Sequence, residues 1–171
     1  MASQPHPSPL VAVDSNVPLD LADGNESVLD ALNTIRGRLP NARFVVTPSV
    51  FQELVHVALE DSVAARRALG QSALRQLKEW QFDLLEIVPV GHGIVESIAQ
   101  RLRAAGLLPE EEVHDSLILA EAALLGCAVL LTSDAHLRGL DYARLTWELN
   151  ACDVSVPVIA TPREIVSKFF R

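Results

Sequence analysis

Residues 109–134 read PEEEVHDSLILAEAALLGCAVLLTSD, and this stretch decides the fold. Its first three glutamates, at 110–112, follow a proline, as in the first turn of a helix, where negative charge opposes the positive end of the helix dipole. Apolar and small residues continue to Leu125, and Gly126 is a natural residue for the end of a helix. The apolar run Ala128 to Leu131 follows and leads to an aspartate. We therefore predict a helix over 109–125, then a buried strand over 128–131.

The same alternation extends along the rest of the chain. Further strands are predicted at residues 10–13, 43–47, 84–90 and 156–160. Helices are predicted at 15–39, as one helix or as two with a break near Asp23 and Gly24, and at 47–57, 62–80, 94–105 and from 161 onward. Strands that alternate with helices indicate a parallel sheet with helices on both faces. We predict an α/β fold of three layers, α/β/α, with a central parallel sheet of about five strands. Residues 10–171 form one domain in this interpretation, and the proline-rich residues 1–9 form a disordered tail.

Composition narrows the range of functions. The chain has 171 residues, with 22 acids, 14 bases and a formal net charge of -8. This charge argues against sequence-independent adhesion to phosphate backbones, which normally relies on clustered Lys and Arg. Bound divalent ions can reverse the local sign, so a nuclease with an acidic site remains compatible with the sequence.

The sequence lacks the motifs of several common kinds of site and of secreted or membrane proteins. Cys127 and Cys152 lack the spacing of a disulfide scaffold or a zinc site. The chain has no G-x-G-x-x-G, no P-loop and no G-x-S-x-G, which disfavours nucleotide cofactors and a serine triad. The first residues do not resemble a signal peptide, and the most apolar stretch, 117–131, is too short to span a membrane. We expect a cytoplasmic protein without a membrane segment.

Four acids break the pattern around them. Asp14 and Asp134 follow apolar runs, and ligands of parallel sheets bind beyond the carboxyl ends of strands. Glu53 and Asp115 lie on the apolar faces of predicted helices. Acids in such places are costly unless they are paired or bound to a metal. The alternatives are that Asp14 and Asp134 cap helices, that Glu53 reaches solvent and that Asp115 is structural.

The order of the motifs resembles the PIN-domain family, especially the VapC-type ribonuclease toxins of bacterial toxin–antitoxin pairs. The resemblance covers about residues 10–160. Its motifs are DSN at 14–16, TPSVFQEL at 47–54, HDSLILAEA at 114–122 and AVLLTSD at 128–134. Two features depart from the family: Leu137, preceded by His136, replaces a frequent aromatic residue, and the segment 62–80 is longer than the smallest toxins need.

The resemblance implies a ribonuclease that depends on Mg²⁺ or Mn²⁺ and hydrolyses RNA phosphodiester bonds. It assigns catalysis and metal binding to Asp14, Glu53, Asp115 and Asp134, and supporting roles to Asn16 and Thr132. It also implies an antitoxin as partner and a homodimer. The arginines that would grip RNA are Arg66, Arg67, Arg75, Arg36 and Arg38, and a solvated helix face explains them equally well.

Other interpretations remain open. Glu112 and Asp141 are candidates for acids just outside the site, and His114 and His136 for contacts with the substrate. A phosphatase that forms a phospho-aspartate usually has a second Asp two residues after the first, and here that residue is Asn16. The net charge keeps open a non-catalytic member of the family that acts as a scaffold or binds a partner protein.

Overall fold

The computed structural model of the protein describes residues 8–168 in full, together with the backbone of residue 169. The predicted disordered tail therefore lies outside the described residues as far as residue 7. Among the described residues, no helix is long and apolar enough to cross a membrane.

Five parallel strands form one central sheet, as predicted. The strands are β1 (Leu10–Val13), β2 (Arg43–Val46), β3 (Phe82–Leu84), β4 (Val129–Leu131) and β5 (Val158–Ala160), and their order is β3-β2-β1-β4-β5. The chain builds outward from β1 to β3 on one side and then returns to place β4 on the other side of β1. A crevice therefore opens at the carboxyl ends of β1 and β4, the usual place for ligands in such sheets.

Helices cover both faces of this sheet and complete the three-layer α/β/α fold. In chain order they are α1 (Asn16–Ala22), α2 (Glu26–Arg38), α3 (Pro48–Glu60), α4 (Ala64–Gln76), α5 (Pro89–Ala104), α6 (Val113–Leu124), α7 (Ala135–Arg138), α8 (Tyr142–Asn150) and α9 (Pro162–Phe169). Helix α2 packs against α9, α5 against α6, and α3 against both α4 and α6.

The central strands explain why the sequence folds in this way. Residues 11–13, 44–46 and 129–131 are all buried, because helices shield both faces of the sheet. Strands buried on both faces are continuous apolar runs rather than alternating ones. Leucine, valine and alanine fill most of the core.

Several predicted boundaries were wrong, among them those of the third and fifth strands and of the helices α5 and α6. The third strand ends at Leu84, and α5 begins at Pro89, where proline at the first helical position needs no hydrogen-bond partner. Helix α6 begins at Val113 because residues 109–112 form a turn, in which the Glu112 N–H donates to the Pro109 carbonyl. The fifth strand begins at Val158, since the preceding proline has no N–H to donate to the sheet.

Candidate metal centre

Asp14 is fixed at the end of β1 by three close donors. Its side chain accepts hydrogen bonds from the Ser15 backbone N–H at 2.7 Å, from Asn16 Nδ2 at 2.6 Å and from Thr132 Oγ1 at 2.6 Å. The residue is only 3% exposed. Burial raises the pKa of the Asp14 carboxyl, and the hydrogen bonds oppose this effect without cancelling it.

Asn16 and Thr132 join the ends of β1 and β4. The Ser133 N–H donates to Asn16 Oδ1 at 3.1 Å, and the Asp134 N–H donates to Thr132 Oγ1 at 2.9 Å. These two side chains thus bind Asp14 and the chain segment that leads to Asp134 at the same time. The supporting role that the sequence resemblance assigned to Asn16 and Thr132 stays a prediction.

Asp134 caps a helix and also borders the crevice. Its Oδ1 accepts from the backbone N–H groups of His136 at 2.7 Å and Leu137 at 3.2 Å, so it is the N-cap of α7. The capping alternative is therefore confirmed for Asp134. It is wrong for Asp14, because the N-cap of α1 is Ser15.

Asp115 lies in the first turn of α6 and has the most unusual environment. Its Oδ2 atom is buried without a hydrogen-bond partner among the described residues, and its side chain is 16% exposed. Burial, followed by repulsion from Asp134, Asp14, Glu112 and Glu53, raises the pKa of Asp115 to about 7. A cation near this oxygen would relieve both the burial penalty and the repulsion.

Glu53 projects from α3 toward the end of β1. Burial raises the pKa of the Glu53 carboxyl, while a hydrogen bond from the Ser15 side chain lowers it. The negative charge of Asp14 raises this pKa further, and the nearby His114 and Arg66 lower it. Glu53 therefore interacts electrostatically with Asp14 and with Asp115.

Glu112 and His136 lie beside Asp115, where the start of α6 meets the start of α7. The His136 Nδ1 atom is 3.2 Å from Glu112 Oε1, 3.8 Å from Asp115 Oδ2 and 3.9 Å from Asp134 Oδ1. Within the described part of the chain, Glu112, Asp115 and His136 form the one group of three ligand residues whose donor atoms all lie within 4.8 Å of one another. The sequence had marked Glu112 and His136 only as peripheral candidates.

Glu121 is a buried acid that sequence reasoning missed. It lies on α6 and is 2% exposed, and its two carboxylate oxygens accept from the Ser49 N–H at 3.2 and 3.1 Å. The Ser49 hydroxyl also donates to Glu121 Oε1 at 2.8 Å. The available signal was an acid in the middle of the apolar sequence LILAEAALL. Glu121 caps α3, which carries Glu53, and joins it to α6, which carries Asp115.

The predicted RNA-binding arginines differ in their surroundings. Arg66 pairs with Asp61 at 3.2 Å, and an Arg67 nitrogen donates to the Asp61 carbonyl at 2.5 Å. Arg75 is exposed on α4. Arg66 also lines a cavity of about 230 Å³ together with Asn16, and its charge lowers the pKa of Glu53.

The other two candidate arginines, Arg36 and Arg38, lie on α2. Arg36 donates to the Trp80 carbonyl at 2.6 Å and lies over the Phe44 ring. These contacts give Arg36 a structural explanation.

Comparisons with known proteins agree with this architecture. The family model of the PIN domain matches residues 11–141. No curated protein matches the sequence significantly. Three similar solved structures are VapBC2 from Rickettsia felis bound to a DNA fragment from its promoter, VapBC-1 from nontypeable Haemophilus influenzae, and FitAB bound to the IR36 DNA fragment.

The similarity to these structures is one of fold. VapBC2 has 12% sequence identity and a TM-score of 0.61, over 89% of this chain and 98% of that chain. VapBC-1 has 13% identity and a TM-score of 0.57, over 90% and 98%, and FitAB has 16% and 0.52, over 89% and 94%. Since the family model spans most of the sequence and these folds cover nearly all of it, the chain belongs to the PIN domain family.

Proposed function

We propose that this protein is a metal-dependent ribonuclease that hydrolyses phosphodiester bonds in RNA. In this proposal Asp14, Glu53, Asp115 and Asp134 bind Mg²⁺ or Mn²⁺. The observation that carries it is the buried Oδ2 atom of Asp115, which lies in the electrostatic field of neighbouring carboxylates and has no hydrogen-bond donor in the part of the chain that the structure describes. Membership of the PIN domain family supports a nuclease, because proteins with this domain are generally nucleases.

The donor set fits a divalent cation. Among the described residues, none of the four acids forms an ion pair with a lysine or arginine. Carboxylates grouped without a lysine or arginine in ion-pair contact repel one another, and a cation offsets this repulsion. Oxygen ligands of this kind suit Mg²⁺ and Mn²⁺. When bound, such an ion supplies positive charge to the phosphate oxygens and lowers the pKa of a water molecule.

The residues of the chain would divide the remaining tasks. Asp14 and Asp134 are held in fixed orientations by their hydrogen bonds, so they bind with little loss of side-chain entropy. Glu53, whose pKa is raised, would orient the attacking water and accept its proton. Arg66, at the adjoining cavity, would contact a phosphate of the substrate. Arg67 and Arg75 remain weaker candidates for the same role.

We further propose that the protein is the toxin of a toxin–antitoxin pair that acts in the cytoplasm. The motif resemblance and the similarity in fold to VapBC2, VapBC-1 and FitAB support this assignment. An antitoxin protein would then be its partner, and a homodimer its expected assembly. The net charge of -8 favours the second candidate function, a PIN-fold scaffold that binds a partner and does not cleave RNA.

Cleavage of labelled single-stranded RNA distinguishes these two functions. Wild type, Asp115→Asn and Asp30→Asn are compared with Mg²⁺, with Mn²⁺ and with EDTA. Asp30 is an exposed acid on α2, so its variant controls for the loss of one negative charge. We expect Asp115→Asn to lose more than about 100-fold in rate, because even outer partners of a metal site cost about 10- to 100-fold. Absence of cleavage by wild type on varied RNAs, together with no ion binding, would support the scaffold.

A further inference from the structure

We infer that His136 and Glu112 extend the acidic group into a mixed nitrogen–oxygen site, which selects first-row transition metal ions such as Mn²⁺ over Mg²⁺. This inference rests on the proposed function and concerns which ion the same site binds. The assignment from motifs contains oxygen ligands alone. The imidazole of His136 lies beside these oxygen ligands and changes which metal ion the site is expected to prefer.

The distances around His136 fit a shared ion. Two ligands that each lie about 2.1 Å from one ion are about 3.0 Å apart at right angles and about 4.2 Å apart on opposite sides. The Nδ1 atom of His136 lies 3.2 Å from Glu112, 3.8 Å from Asp115 and 3.9 Å from Asp134, measured to the nearest carboxylate oxygens. All three separations fall within this range.

These residues lie at the starts of two helices, α6 and α7. Asp134 accepts from the backbone N–H groups of the first turn of α7, and this turn carries His136. Glu112 immediately precedes α6, and Asp115 lies in its first turn. The side chains of Glu112 and His136 are 29% and 48% exposed, so an ion can approach from solvent.

An ion pair between protonated His136 and Glu112 would leave the buried Oδ2 atom of Asp115 without a partner. At 3.2 Å, Nδ1 can donate a hydrogen bond to Glu112. At 3.8 Å, Nδ1 is too far from Asp115 Oδ2 to donate a hydrogen bond to that buried oxygen, which has no other donor within residues 8–168. An ion bound between the two atoms would contact both of them.

The mixture of nitrogen and oxygen ligands determines which metal ion the site prefers. Mg²⁺ favours octahedral oxygen ligands and gives up its water reluctantly. Imidazole nitrogen binds later first-row metals more readily, and affinity generally rises from Mn²⁺ through Co²⁺ to Ni²⁺. A site that offers one nitrogen with two or three carboxylates should therefore bind Mn²⁺ and Co²⁺ more tightly than Mg²⁺.

Direct ion binding tests this inference without relying on cleavage. Calorimetry on the full chain measures the Kd for Mn²⁺ and Mg²⁺, and visible absorption of bound Co²⁺ reports nitrogen ligation. The variants are His136→Gln and Glu112→Gln. His56→Gln is the matched control, because His56 pairs with a single carboxylate, Glu60, at 3.1 Å on the exposed face of α3.

We expect His136→Gln to weaken Mn²⁺ binding by about tenfold or more and to alter the Co²⁺ spectrum, while Mg²⁺ binding changes little. Glu112→Gln should weaken Mn²⁺ binding in the same direction, and His56→Gln should match wild type. The inference is overturned if His136→Gln retains the wild-type ratio of Mn²⁺ to Mg²⁺ affinity.

The two hypotheses fail in different ways. If only the selectivity inference is wrong, wild type still cleaves RNA, Asp115→Asn still abolishes cleavage and His136→Gln binds ions like wild type. If only the proposed ribonuclease function is wrong, the ion preference and its loss in His136→Gln remain, although no RNA is cleaved.

Discussion

Asp115→Asn should stabilise the metal-free protein at alkaline pH, although it removes a proposed metal ligand. Asparagine has nearly the same shape as aspartate but carries no charge, so it escapes both the burial penalty and the repulsion at this position. In the folded protein the pKa of Asp115 is about 7, against an ordinary value of 3.8. The folded state therefore holds the proton more tightly than the unfolded chain does.

The sign and size of the effect follow from this difference. Below pH 3.8 the carboxyl is protonated in both states and costs nothing. Between pH 3.8 and 7 the unfolded chain releases its proton first, so the free energy of unfolding falls as pH rises, and it levels off above pH 7. A change of about three pKa units corresponds to about 4 kcal/mol. Because water reaches part of this side chain and the acids titrate together, we expect about 2 kcal/mol.

Urea unfolding in EDTA, at several pH values between 4.5 and 8.5, measures this effect. The difference between Asp115→Asn and wild type should be smallest at pH 4.5 and approach about 2 kcal/mol at pH 8.5. Asp30→Asn, the exposed control, should show no such trend. With saturating Mn²⁺, this difference in the free energy of unfolding should shrink or change sign, because an ion that binds the folded wild type stabilises it.

Two results would contradict the electrostatic crowding of carboxylates around Asp115. If Asp115→Asn is no more stable than wild type at pH 8.5 in EDTA, the carboxylates are not crowded in solution. A stability difference that does not depend on pH would also contradict it, because it would have to arise from packing rather than from charge.

Three further predictions concern the site and its supports. Mn²⁺ affinity should rise by about tenfold per pH unit below pH 7 and level off above it, because binding displaces the Asp115 proton; calorimetry from pH 5.5 to 8 checks this, and a flat profile would contradict it. Glu121→Ala should cost about 2 kcal/mol in urea unfolding and weaken Mn²⁺ binding, because it leaves the Ser49 N–H and hydroxyl buried without an acceptor; unchanged Mn²⁺ affinity would mean that Glu121 does not position Glu53. Gly70→Ala should destabilise the fold by about 1 to 3 kcal/mol, because the new Cβ would lie 2.8 Å from the Ala58 nitrogen where α4 meets α3; a Tm equal to that of wild type would contradict this close approach.

The sequence predicted the centre of the fold better than its edges. Strands β1, β2 and β4 are buried apolar runs, and their positions were predicted to within one residue. The third strand was placed too late because the apolar run 84–90 continues beyond the sheet. Leu84 is 52% exposed at the edge strand, where apolar residues no longer mark the core.

The residues of the candidate site also divide into those that the sequence pattern revealed and those that it did not. Asp14, Glu53, Asp115 and Asp134 were conspicuous because each acid interrupts an apolar pattern. The contact between Glu112 and His136 left no such pattern, since it depends on how the start of α6 meets the start of α7. Glu121 was visible as a misplaced acid, but its partner Ser49 is distant in sequence.

The distribution of hydrogen bonds around the acids indicates where an ion is needed. Three donors hold Asp14, two backbone groups hold Asp134, and Ser49 satisfies the buried carboxylate of Glu121. These acids are therefore positioned by the protein itself, without an ion. Asp115 Oδ2 differs, because it is buried and has no donor among the described residues. Since a protein tolerates such a cost mainly where function requires it, the unsatisfied oxygen marks the point at which an ion should contribute most to binding and stability.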